Sequence, residues 1–111
     1  MPTDARLVIC TFPDADRAAA VGRTLVEERL AACMNVLPGA RSIYRWQGKV
    51  CDEPEAVALL KTTAARFDAL RARLIELHPY DCPEVLALVV DDGNPAYLAW
   101  LAETCQPPSA P

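Results

Sequence analysis

One histidine and five cysteines carry most of the chemistry open to this chain: His78, and Cys10, Cys33, Cys51, Cys82 and Cys105. With a single imidazole, any histidine relay must pass through His78. Cys10 paired with His78 could form a thiolate–imidazole nucleophile. The same two donors suit Cu(I), Cu(II) or Zn(II), and the soft thiolate favours Cu(I). Two ligands fall short of the four that close a structural metal site. Spacing therefore leaves a weak or subunit-shared metal site as one reading. The other is a histidine whose charge suits a helix C-terminus. Tyr44, Trp46 and Tyr80 could line a pocket or anchor an interface. Lys61, Glu84, Asp91 and Asp92 fall at strand ends, where they could surround a cleft between subunits or simply be solvated. Solvation is the preferred reading for the Asp pair. The chain has no P-loop, nucleophile elbow, dinucleotide fingerprint or H-E-x-x-H. Its residues thus point to binding rather than catalysis.

Composition narrows the partners. The chain has 111 residues, enough for one domain, with 52% hydrophobic and 23% charged residues. A net charge of -4 and a pI near 4.9 argue against a nucleic-acid binder and fit a weak attraction for cations. No apolar run is long enough to span a membrane. MPTDARLVIC lacks a basic segment leading into a long apolar stretch, so no secretory signal is expected. Five cysteines without a C-x-x-C argue against a disulfide framework. A reducing cytoplasm is the expected compartment, with each cysteine a small buried apolar residue.

The elements that must position these residues follow from periodicity. Arg6 to Phe12 is β-branched and aromatic and predicts a strand. Asp14 caps a helix with apolar residues at helical spacing, ending near Leu30–Ala31. Cys33 to Thr62 predicts a long hairpin turning at Trp46-Gln47-Gly48-Lys49. Each arm would reach ~46 Å, whereas a domain of this size is roughly 35 Å across. The hairpin should therefore overhang its own domain and hand Tyr44 and Trp46 to another subunit. Pro38-Gly39 predicts a bulge in an edge strand, and Pro54 a break in the second arm. A second helix, capped by Thr62 or Thr63, carries Phe67, Leu70, Leu74 and Leu77 and stops at His78-Pro79. Val85 to Val90 predicts a strand buried on both faces. Asn94-Pro95 opens a short last helix. Residues 1–103 form one domain and 104–111 a disordered tail.

Strand, helix, strand, strand, helix, strand, plus the short C-terminal helix, is the ferredoxin-like α+β order, with both helices on one face of an antiparallel sheet. The core strands are apolar on both sides. Leaving about 400 Å² of sheet in water would forgo roughly 10 kcal/mol, comparable with a domain's net stability. A closed homo-oligomer is the expected cover.

Several stretches, LVEERLAACMNVLPGARSIYRWQGKV, LLKTT, ELHPYDCPEVLAL and DGNPAYLAWL, resemble the CutA family of divalent-cation tolerance proteins. The resemblance spans about Leu7 to Leu101. It implies a ferredoxin-like subunit in a tight homotrimer, similar in build to PII signalling proteins, and a cytoplasmic bacterial form. It also implies copper or another divalent cation as ligand, held weakly through Cys10 of the Cys-Thr pair and His78 before Pro79-Tyr80. Members with two histidines there use both; here Leu77 takes the earlier position. The expected function is non-enzymatic cation tolerance. The alternatives are a PII-like regulator binding a small molecule or partner between subunits, and a stable scaffold without a ligand.

Overall fold

The computed structural model describes residues 2–107. Its elements run β1 (Ala5–Phe12), α1 (Ala15–Glu27), β2 (Cys33–Trp46), β3 (Lys49–Thr63), α2 (Ala64–Leu77), β4 (Val85–Val89) and α3 (Pro95–Thr104). The strands form one antiparallel sheet in the order β2-β3-β1-β4. This is the ferredoxin-like arrangement expected from the element order.

One face of the sheet is closed by helices. Val8, Cys10 and Phe12 of β1 alternate inward with Ala58 and Leu60 of β3. They meet Ala18 and Leu25 of α1 and Leu70 and Leu74 of α2 in one buried cluster. A smaller cluster seats α3, where Leu101 and Cys105 pack on Ala5 and Ala32. Cys105 is buried, so the folded part reaches past Glu103. The last residues of the expected tail, 108–111, lie outside the described residues.

The helices begin and end for local reasons. Asp14 accepts from the Arg17 N–H at the start of α1. The helix stops at Glu27 rather than near Leu30. Arg29 adopts φ 60°, and the N–H groups of Arg29 and Leu30 return to the carbonyls of Val26 and Leu25. That is a Schellman ending with arginine at the usual glycine position. Leu30 keeps its apolar contact after leaving the helix, which is why periodicity alone overran the end. The Thr62 hydroxyl donates to the Leu30 carbonyl at 2.7 Å and ties this corner to β3. Thr63 precedes α2 without a side-chain cap.

The hairpin is continuous on its second arm. Pro54 does not break β3, contrary to expectation; it pairs with Arg41 inside the strand. The neighbouring β1 ends at Phe12, opposite Ala56. On that side Pro54 has no ladder bond to lose. The tip turns through Gln47 (φ 51°) and Gly48 (φ 79°), a two-residue turn of the hairpin-compatible type. Beyond β1 the paired arms stand alone, and the molecule measures 47 × 34 × 22 Å.

The second face of the sheet is open. It carries Leu7 and Ile9 of β1, Val57 and Leu59 of β3, Leu37 of β2, and Leu86 and Leu88 of β4, opposite one another in the ladders. Leu86 is 56% exposed and Leu88 45%. The strand expected to be buried on both faces is therefore covered on neither side completely within one chain. Its outward leucines stay exposed within one chain.

Candidate functional site

A cavity of about 660 Å³ lies where the hairpin leaves the sheet, walled on its far side by the loop between α2 and β4. Tyr44, Trp46, Tyr80 and Glu84, four of the residues singled out from sequence, line it, together with Glu53, Glu55, Asp81 and Cys82. Lys61 is not among them. It sits at the other corner of the open face, where its ammonium donates to the Asn35 side-chain oxygen at 2.6 Å and lies 4.0 Å from the Cys33 sulfur. This cavity within one chain thus lacks the one basic residue expected around a cleft between subunits.

Strand parity explains how the hairpin supplies this wall. Leu37 pairs with Val57, but the next regular pair is Ala40 with Glu55, so β2 carries one extra residue at Pro38-Gly39. Gly39 takes φ 82° there. An extra residue turns every later side chain to the opposite face. Ser42, Tyr44 and Trp46 therefore share a face with Glu53 and Glu55 instead of pointing away from them. Sequence reasoning found the bulge and the aromatics but missed both glutamates. The signal was available: the two-residue turn sets Trp46 opposite Lys49 and hence Ser42 opposite Glu53.

Behind this cleft stands His78, 7% exposed. Its ring stacks on Phe12 with centroids 4.4 Å apart and lies 4.8 Å from Tyr80. The Tyr80 backbone N–H donates to Nδ1 at 3.0 Å. A backbone N–H can only donate, so Nδ1 is the acceptor and Nε2 carries the hydrogen. Nε2–H then donates to the Thr11 carbonyl at 2.7 Å. Burial holds the imidazole pKa below its ordinary value, against the opposing pull of the Thr11 carbonyl and Glu55. The ring is neutral, and both nitrogens are engaged.

Cys10 is fully buried, and burial, reinforced by Glu84, pushes its thiol up to about 12. Its sulfur faces the same Thr11 carbonyl at 3.8 Å. A thiol held protonated and an imidazole without a free lone pair do not fit a bound metal in this arrangement. Ligation by the pair requires His78 to release a bond and Cys10 to ionise. Of the other cysteines, Cys105 is buried, Cys33 and Cys51 are half-buried, and Cys82 is exposed. Burial as a general fate thus holds for only two.

Tyr80 donates its hydroxyl to Glu55 at 2.7 Å. Burial, with Glu53 beside Tyr44 and Glu55 beside Tyr80, raises both phenol pKa values. None of the lining residues is basic. Among the described residues, no three His, Cys, Asp or Glu side chains converge closely enough to hold one metal ion.

Comparison with known proteins gives a consistent result. The family model described as CutA1 divalent ion tolerance protein matches residues 6–104. The divalent-cation tolerance protein CutA of Thermus thermophilus is 48% identical over 97 residues, covering 87% of this chain and 94% of that protein. The CutA of Pyrococcus horikoshii is 45% identical over 97 residues, with coverages of 87% and 94%. The crystal structure of CutA from Xylella fastidiosa superposes with a TM-score of 0.91 at 45% identity, covering 94% of this chain and 100% of that one.

Proposed function

The chain belongs to the CutA1 divalent ion tolerance family, and from that premise we propose that it serves cation tolerance as a non-catalytic homotrimer whose acidic clefts gather cations. The observation that carries this reading is the lining of the cleft. Glu53, Glu55, Asp81 and Glu84 face one concavity, and no lining residue is basic. Like charges in a half-enclosed site focus the field and raise the local concentration of cations.

Association is weak in this reading. One chain does not surround an ion, so the ion keeps much of its water or takes further ligands from a neighbouring copy. The open apolar face runs directly into the cleft through Thr11, Val57 and Glu55. A copy covering that face would also reach the cleft rim. Copper is the ion that would draw on Cys10 and His78, through the bond release and ionisation described above. Free cysteines fit a cytoplasmic protein.

Calorimetric titration tests the assignment, using Cu(II) and, under reducing conditions, Cu(I). Glu53→Gln/Glu55→Gln is expected to weaken Cu(II) binding about thirtyfold, since each of the two lost charges is worth ~1 kcal/mol at short range in water. Binding that ignores this variant removes the cleft from the proposal. Cys10→Ser/His78→Ala is expected to weaken Cu(I) most. A double variant that binds Cu(I) like the parent removes the pair.

A further inference from the structure

We infer that the preferred occupant of the cleft is an extended organic cation, a linear diamine or polyamine, rather than a single metal ion. This rests on the reading of the cleft as a cation site and names the class of cation.

Spacing is the first argument. A hard divalent ion draws its oxygen ligands to within about 2.0–2.6 Å. Glu53 and Glu55 are two residues apart on one strand, hence ~7 Å along it. Glu55 is anchored where it stands by the Tyr80 hydroxyl. Asp81 and Glu84 occupy the opposite wall, on the loop after α2. The negative charge is therefore strung along the cleft, and no three donors meet at a point among the described residues. A molecule with ammonium groups separated by a few methylenes matches such a string; a point charge does not.

The second argument is the aromatic surface. Tyr44, Trp46 and Tyr80 line the same cavity, and within one chain Trp46 is 50% exposed and Tyr44 39%. Indole and phenol faces attract ammonium groups and also pack against a methylene stem. A purely inorganic ion would use the carboxylates and make no use of these aromatic faces. The volume, about 660 Å³, is that of a small-molecule site. No Lys or Arg lines it, so the ligand alone supplies the counter-charge.

The test is calorimetric titration of the full chain with spermidine, methylammonium and Mg2+ at constant ionic strength. Spermidine is expected to bind saturably, one per cleft, at least about tenfold more tightly than methylammonium or Mg2+, because it meets several carboxylates at once. Glu53→Gln/Glu55→Gln should lose about tenfold in spermidine affinity. Trp46→Leu keeps apolar bulk without the π face and should lose about threefold. Circular dichroism of both variants should match the parent. If spermidine binds no better than methylammonium while Cu(II) still depends on the glutamate pair, the polyamine inference fails and the cleft reading survives. If neither cation responds to the pair, both fail.

Discussion

At the scale of single residues, His78 is a structural acceptor and donor before it is anything else. It joins two points distant in sequence, the Thr11 carbonyl at the end of β1 and the Tyr80 N–H after α2. Protonation would place a hydrogen on Nδ1, against the Tyr80 N–H that now points there. The pKa is lowered by burial, so in the window between the folded value and the ordinary ~6.5 the unfolded chain binds the proton and the folded chain does not. Stability is then complete above about pH 6.5, declines as the pH falls toward the folded value, and stops declining below it. Guanidinium unfolding at fixed protein concentration should show a lower midpoint at about pH 5.5 than at about 7.5. His78→Gln should show a smaller drop over the same interval. Equal drops would mean that other groups carry the acid sensitivity.

At the scale of elements, the decisive feature is the one-residue bulge in β2. It takes up the one extra residue between the Leu37–Val57 pair and the Trp46–Lys49 pair, and so lets Tyr44 and Trp46 share a face with Glu53 and Glu55. Deleting Gly39 removes that residue and leaves both pairs in register, so the aromatics should stay on the same face. The expected outcome is spermidine and Cu(II) binding close to parental strength, with strand content retained by circular dichroism. Near-complete loss of binding would show that the cleft needs the bulge itself and not the register alone. The bulge was visible in the sequence as Pro38-Gly39. Its consequence was not, because parity matters only once the partner register is known. Pro54 shows the converse: the local rule predicted a break, and the absence of a third strand at that level made the rule irrelevant.

At the scale of the molecule, the open sheet face dominates. Ile9 of β1 stands between Leu59 of β3 and Leu86 of β4 in the ladders, at the centre of an apolar surface that one chain leaves in water. Burying about 400 Å² of it is worth roughly 10 kcal/mol. Light scattering at micromolar concentration should therefore give a mass near three times 12.1 kDa. Ile9→Glu should give smaller species, aggregates or both, because it places a charge where the covering copy would desolvate it. A chain that stays monomeric and well folded at that concentration would remove the shared cleft along with the trimer.

The sequence alone determined the element order, the two-faced strands, the turn at Gln47-Gly48 and the aromatic tip, because periodicity and backbone chemistry are local properties. It also brought Tyr44, Trp46, Tyr80 and Glu84 under suspicion by residue type. Only the tertiary structure decided that the loop carrying Tyr80 and Glu84 meets Glu53 and Glu55, that Lys61 lies elsewhere, and that the His78 lone pair is already taken. Those outcomes depend on ladder register and on hydrogen bonds between segments far apart in the chain, as with Thr11 and His78. No local pattern encodes them: which side chains meet is fixed only when strands choose their neighbours.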